Sequence, residues 1–176
     1  TEIYTLSLHD ALPICWNGKL TIDLNGHEIR MYDPAENAAE DDSGYTDLPG
    51  QGGMLLAANG TLEITDSSEY QEGKITSTIN TNPAIVMIQD ETVGNHLMIT
   101  GGTYEASQEQ SLIGVKDGYG TILPVDVVPQ SQGTEIDQTQ PLSISISAGN
   151  FNQQLPEQYL APGYKMESQA DGTWKV

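Results

Sequence analysis

An all-β fold, a parallel β-helix of stacked coils, is what this sequence predicts, and three observations lead there. A short alternating strand recurs four times, Gly-containing turn dipeptides punctuate the chain, and segments with a helical apolar stripe are scarce. The recurring strand reads LTIDLNGHEI from Leu20, TLEITDSS from Thr61, LMITGGTYEA from Leu97 and LSISISAGNF from Leu142. Aligning Leu24, Ile64, Ile99 and Ile146 gives separations of about 40, 35 and 47 residues, in or near the range of solenoid repeats.

Strict alternation puts every second side chain on one face. Leu20, Ile22 and Leu24 share a face, as do Leu62 with Ile64, Leu97 with Ile99, and Leu142 with Ile144 and Ile146. Stacked coils would gather these into aliphatic columns and turn Thr21, Asp23, Thr61, Glu63, Met98, Ser143 and Ser145 outward. Further β-like runs lie at Met54 to Ala57, Ala84 to Ile88, Leu112 to Val115 and Thr121 to Val128, enough for two or three strands per repeat. Asn25-Gly26, Asn59-Gly60, Gly101-Gly102, Asp117-Gly118 and Asp171-Gly172 supply the positive φ of tight corners. Hairpins use the same dipeptides, so a β-sandwich is the structural rival. Helical signals are confined to Asp33-Pro34 followed by Ala35 to Glu40, and to a turn or two in Leu155 to Leu160.

The bulk composition agrees. Hydrophobic residues are 37% of the 176 but aromatics only 6%, so the core is expected to be aliphatic. Charged residues, at 18%, fall below the globular norm of roughly one quarter, and uncharged polar residues make up the difference. Six Lys and Arg stand against 25 Asp and Glu, a net charge of −19 that repels nucleic acid and anionic membrane surfaces. The single cysteine, Cys15, excludes an intramolecular disulfide and a thiolate metal cluster. No apolar run approaches the roughly 20 residues of a membrane-spanning helix, and membrane insertion is not expected.

Residues 1–14, TEIYTLSLHDALPI, resemble a translated sequencing-adapter read of the kind found at the ends of metagenomic reading frames. They lack the basic n-region and small-residue cleavage site of a signal peptide. Residues 1–15 are therefore set apart as a non-native or disordered segment, and 16–176 are read as one β-helix domain fragment, truncated at its front, with a closing segment at about 155–176.

The phrases LTIDLNGHEI, GTLEITDSS followed by GKIT, LMITGGTYEA and the ending YLAPGYKMESQADGTWKV resemble the recurring units of right-handed, pectin-lyase-like β-helical surface and adhesin-like proteins of Gram-positive bacteria. The resemblance covers nearly all of residues 19–176. It implies a secreted protein of the cell wall or surface, and a non-catalytic structural or adhesive module that meets polysaccharide or a host surface protein. It also implies that Tyr164, Trp174 and Val176 cover the last coil; an open solenoid end would instead invite end-to-end self-association. The competing expectation is a fragment of a carbohydrate-active β-helix enzyme, a polysaccharide lyase or glycoside hydrolase.

That alternative requires catalytic carboxylates on a rigid frame. Asp41-Asp42 lies in an acidic loop from Asp33 to Asp47 without a strand context, and Gly26-His27-Glu28 only partly resembles the Gly-His-Gly of polygalacturonases. His9, Asp10 and Cys15 fall at or beside the foreign segment. His27 reads as a turn residue and His96 as an outer-face residue, with no second ligand at metal spacing. The basic groups Lys19, Arg30, Lys74, Lys116, Lys165 and Lys175 are scattered, and Trp16, Tyr45, Tyr104 and Tyr119 are expected to be exposed, where they could stack on sugars. No catalytic residues and no resident cofactor are assigned.

One carboxylate pair follows from the alignment. If the first two repeats stack directly, Asp23 and Glu63 lie on neighbouring rungs about 4.8 Å apart and would recruit a cation such as Ca²⁺. The loop bearing Glu36, Glu40, Asp41, Asp42 and Asp47 is the second Ca²⁺ candidate.

Overall fold

The computed structural model describes residues 18–31, 54–56, 60–77, 85–88, 94–107, 111–116 and 142–176. The predicted strand at Thr121 to Val128 and the helix at Ala35 to Glu40 lie outside these residues. The described chain is all-β, with one 3-10 turn at Glu157–Tyr159, inside the stretch predicted to turn.

Among the described residues eleven strands follow in order: β1 Gly18–Asp23, β2 Glu28–Met31, β3 Met54–Leu56, β4 Gly60–Thr65, β5 Lys74–Ser77, β6 Ile85–Ile88, β7 Asn95–Glu105, β8 Ile113–Lys116, β9 Leu142–Phe151, β10 Glu167–Ser168 and β11 Trp174–Lys175. Every pairing among β1 to β9 is parallel. Parallel neighbours cannot be joined by a tight hairpin, so these strands do not form the hairpin-built sandwich.

The larger sheet runs β1-β4-β7-β9-β11-β10, with β2 and β5 attached beside it and β5 also pairing β7; a second sheet runs β3-β6-β8. β7 and β9 are long because each serves two ladders. The front of β7 pairs β4 and its rear pairs β5, and β9 follows both halves of β7.

The first ladder builds an inner column of Leu20, Leu62, Leu97 and Ile144, and beside it one of Ile22, Ile64, Ile99 and Ile146. From Leu62 and Ile64 onward these residues are at most 1% exposed. Each such side chain contributes about 1.5–3 kcal/mol by leaving water. The Ile64, Ile99 and Ile146 alignment matches the predicted one. For the first repeat the pairing differs: Ile22, not Leu24, stands beside Ile64. A slip of two residues keeps every side chain on its own face, so the alternation of Leu20, Ile22 and Leu24 fits either register.

The second ladder stacks Ile29, Ile75, Tyr104 and Phe151. Tyr104 and Phe151 lie ring on ring, centroids 5.2 Å apart and planes 12° apart, and the Tyr104 hydroxyl donates to the Gly101 carbonyl at 2.8 Å. Tyr104 is thus 1% exposed, not the surface aromatic expected. Between the two halves of β7 the register shifts at Thr100 to Thr103, as in a bulge. That irregularity changes which residue parity faces inward, from Ile99 to Tyr104. Gly102 has φ +90°, and a Cβ there would fall 2.8 Å from Leu24 Cδ1.

At the β9 edge the chain folds back. β11 pairs antiparallel with β9 through Trp174 and Phe151, β10 pairs antiparallel with β11, and Leu160 bridges Ile146. Leu155, Tyr159, Leu160 and Ala161 are buried, and Trp174, Val176 and Met166 pack on the core. Tyr164 is 48% exposed, and Tyr159 is the buried tyrosine of this segment.

Candidate functional site

Two carboxylates, those of Asp23 and Asp66, lie where β1 turns into β2 and β4 turns toward β5. Asn25 and Gly26 both have positive φ and bend the chain at once after Leu24. Between β4 and β5, Asp66 opens a longer turn that returns at Gly73. Gly73 sits so close beneath Leu24 and Asp66 that a Cβ there would meet Leu24 Cβ at 2.5 Å.

Asp66 holds this corner. Its Oδ1 accepts the amides of Gly26 at 2.9 Å and Ser68 at 3.2 Å, and its Oδ2 accepts the amide of Gly73 at 2.6 Å. The residue is 4% exposed. Burial pushes its pKa upward, but the donors from Gly26, Ser68 and Gly73 outweigh that and hold it below the usual aspartate value. Asp66 therefore ties two successive turns together as an anion.

Asp23 makes the second tie. Its carboxylate accepts from the Ser67 hydroxyl at 2.6 Å, the Ser67 amide at 2.9 Å and the Asn25 amide at 3.0 Å. The Ser67 bonds, hydroxyl first, lower its pKa.

Glu63 lies elsewhere on the outer face. It accepts from Thr21 Oγ1 at 3.0 Å and pairs with Lys19 Nζ at 2.8 Å, and the lysine contact is the main cause of its lowered pKa. Asp23 stands opposite Thr65, and Glu63 opposite Thr21. The premise that placed Asp23 and Glu63 on facing positions of adjacent rungs is thus corrected by the two-residue register. Each accepts from donors of its own. Among the described residues no group of three or more His, Cys, Asp or Glu converges. The acidic loop of Glu36, Glu40, Asp41, Asp42 and Asp47 lies outside the described residues, as do His9, Asp10, Cys15, Trp16, Tyr45 and Tyr119.

His96 keeps the outward position predicted for it, next to Thr61 and Ser143 in register, yet it is 2% exposed. Its Nδ1 lies 2.7 Å from Ser143 Oγ. Met98 is likewise outward in parity and only 8% exposed. His27 is exposed, with its amide donated to the Leu24 carbonyl, as befits a turn residue.

Asp66 was missed by the sequence reading. Its signal was present in TLEITDSS, where an Asp directly after a strand and before two serines is the pattern of a side chain that bonds the backbone of its own turn. What could not be read was its reach across to Gly26.

Comparison of the chain with protein-family models, with curated proteins and with solved structures returned no match.

Proposed function

We propose that the chain is a non-catalytic structural or adhesive module, a right-handed parallel β-helix exposed on a bacterial surface, whose lateral faces meet polysaccharide or a host surface protein. The observation that carries the reading is the order of the parallel ladders. β1, β4, β7 and β9 succeed one another in one ladder, β2, β5 and β7 in the next, and β3, β6 and β8 in the second sheet. A chain that visits its sheets in the same sequence on each pass is wound as coils, and crossovers between parallel strands are overwhelmingly right-handed. A rigid rod with repeating faces suits projection and lateral contact.

The three carboxylates near the first corner are read here as structural. Glycoside hydrolysis needs two carboxyl groups facing a common substrate gap. Asp23 and Asp66 spend their oxygens on the amides and hydroxyl of the corner, and Glu63 spends one of its own on Lys19 and Thr21.

The test incubates the full chain with pectin, polygalacturonate and alginate, following unsaturated uronide absorbance and reducing ends, and in parallel screens it on immobilised glycans and host matrix proteins. The expected result is retention on at least one surface without turnover. Turnover of any polymer overturns the proposal in favour of a polysaccharide lyase or glycoside hydrolase fragment, and absence of binding on every surface removes its adhesive half.

A further inference from the structure

The corner between β1 and β2 carries reactive chemistry as well as a turn. Asn25 and Gly26 supply its positive φ values, 44° and 77°, and the same two residues have the makings of an intramolecular reaction. In an Asn-Gly pair the glycine amide nitrogen can attack the asparagine side-chain carbonyl carbon, because no Cβ on the second residue obstructs it. A C–N bond forms as the nitrogen gives up its proton, and the bond from that carbon to Nδ2 breaks to release ammonia. The product is a cyclic succinimide, which water opens to an aspartyl or isoaspartyl residue. Asparagine and water thus become acid and ammonia, and no other reagent enters. The other asparagines among the described residues, Asn95, Asn150 and Asn152, precede His96, Phe151 and Gln153, whose side chains crowd that attack.

The attacking nitrogen is held. The Gly26 N–H donates to Asp66 Oδ1 at 2.9 Å, so its proton points at an anion carried by the next rung. Removing that proton would set a second negative charge beside the first, which Coulomb repulsion opposes. Turning the nitrogen toward the Asn25 side chain would also break a charge-assisted hydrogen bond. The flanking peptides are pinned as well. The Asn25 amide donates to Asp23 Oδ1 at 3.0 Å, the His27 amide to the Leu24 carbonyl at 2.8 Å, and the Lys74 amide to the His27 carbonyl at 3.0 Å. A Cβ on Gly26 would lie 3.3 Å from Ser68 Cβ, so the glycine is seated against the neighbouring turn.

We propose that Asn25 is a self-modification site that Asp66 holds closed: the folded corner preserves the asparagine, and opening of the bond between Gly26 and Asp66 commits it to conversion. Refolding does not undo the change. An isoaspartyl residue routes the main chain through the former side chain and lengthens it by one carbon, which displaces the Gly26 amide from Asp66. An aspartyl residue adds a carboxylate next to Asp23. A corner that has opened and reacted is thereby marked, and the mark weakens the tie between the first two rungs. The proposal is independent of what the lateral faces bind.

Peptide mapping by mass spectrometry of the full chain, aged at mildly alkaline pH, tests it. The amide-to-acid mass gain at Asn25 gives the rate, and far-UV circular dichroism verifies the fold of each variant. The same chain in denaturing guanidinium chloride supplies the rate of the open corner. The native chain is expected to react at least about tenfold more slowly, as the loss of one charge-assisted hydrogen bond requires. Asp66→Ala should recover most of that factor, and Asp66→Asn, which keeps a neutral acceptor for Gly26, part of it. Ser67→Ala loosens the neighbouring tie to Asp23 but leaves the Gly26 bond intact, so its rate should stay native. Should Asp66→Ala not fold, Asp66→Asn and Ser67→Ala decide. A native chain that converts Asn25 as fast as the unfolded one overturns the proposal, as do folded Asp66 variants that keep the native rate. Ser67→Ala reacting as fast as the Asp66 variants overturns the role given to Asp66.

Discussion

Replacing Asp66 by alanine should loosen two successive turns at once. The change removes the acceptor of three amides, those of Gly26, Ser68 and Gly73. The Gly73 amide bond is the shortest, at 2.6 Å, and is buried between Asp66 and Leu24. Hydrogen bonds to a charged acceptor contribute about 1.5–3 kcal/mol each, and a buried donor left unpaired costs about 1–3 kcal/mol. Water can reach the rim amides of Gly26 and Ser68 more readily than that of Gly73, so a loss of about 3 kcal/mol is expected overall. For a domain of this size that lowers Tm by about 6–12 °C. Asp66→Asn should fall between, since an amide side chain can still accept from Gly26 but must turn an N–H toward the Gly73 donor. Thermal unfolding followed by circular dichroism, with urea titration as a second measure, reads both variants. A Tm within about 2 °C of wild type for Asp66→Ala, less than 1 kcal/mol, would refute the assignment of Asp66 as the tie between turns.

Acid should unfold the protein for the same reason. Asp23, Asp66 and Asp171 lie below the ordinary aspartate value of 3.8, and Glu63 below the glutamate value of 4.5. Folded-state values that are lowered give stability that is present above the unfolded values and is lost as the pH falls through the folded ones. Stability should therefore be level above about pH 5 and fall below pH 4, which a series of urea midpoints across that range measures; a midpoint unchanged down to pH 3 would contradict it. Gly102→Ala forces a Cβ to 2.8 Å from Leu24 Cδ1 at φ +90°, and should cost about 2–4 kcal/mol by calorimetry or urea unfolding, more than Gly172→Ala, where φ is +85° but nothing lies within 4 Å. Ca²⁺ should leave Tm unmoved through Asp23 and Glu63, because each is engaged by other donors. A rise in Tm with Ca²⁺ that disappears in Asp23→Asn and Glu63→Gln would return the ion to that pair.

The alternation that reveals the strands was legible because inner positions are uniformly aliphatic: Leu62 and Ile64, Leu97 and Ile99, Leu142, Ile144 and Ile146. Their stacking partners were half legible. Ile64, Ile99 and Ile146 have distinct turns behind them, whereas Leu20, Ile22 and Leu24 offer two equivalent registers, and contacts such as those of Asp66 with Gly26 and of Asp23 with Ser67 go with the observed one. Tyr104 and Phe151 were hidden from a period-two reading, because the irregular step near Thr100 changes parity within a continuous strand. Met98 and His96 follow the alternation yet are buried, since parity tells which face a residue occupies and not whether that face is covered. The facing placement of Asp23 and Glu63 was lost through the same two-residue ambiguity that misplaced Leu24.

The stacking of successive parallel strands is tested most directly by nuclear Overhauser contacts between isoleucine methyls in the isotopically labelled full chain. Parallel rungs lie about 4.8 Å apart, so Ile22 should show contacts to Ile64, Ile64 to Ile99, and Ile99 to Ile146, with none between Ile22 and Ile99 or between Ile64 and Ile146, two rungs away. Contacts that skip a rung, or that join Leu24 instead of Ile22 to Ile64, would contradict the register on which the corner and the columns rest.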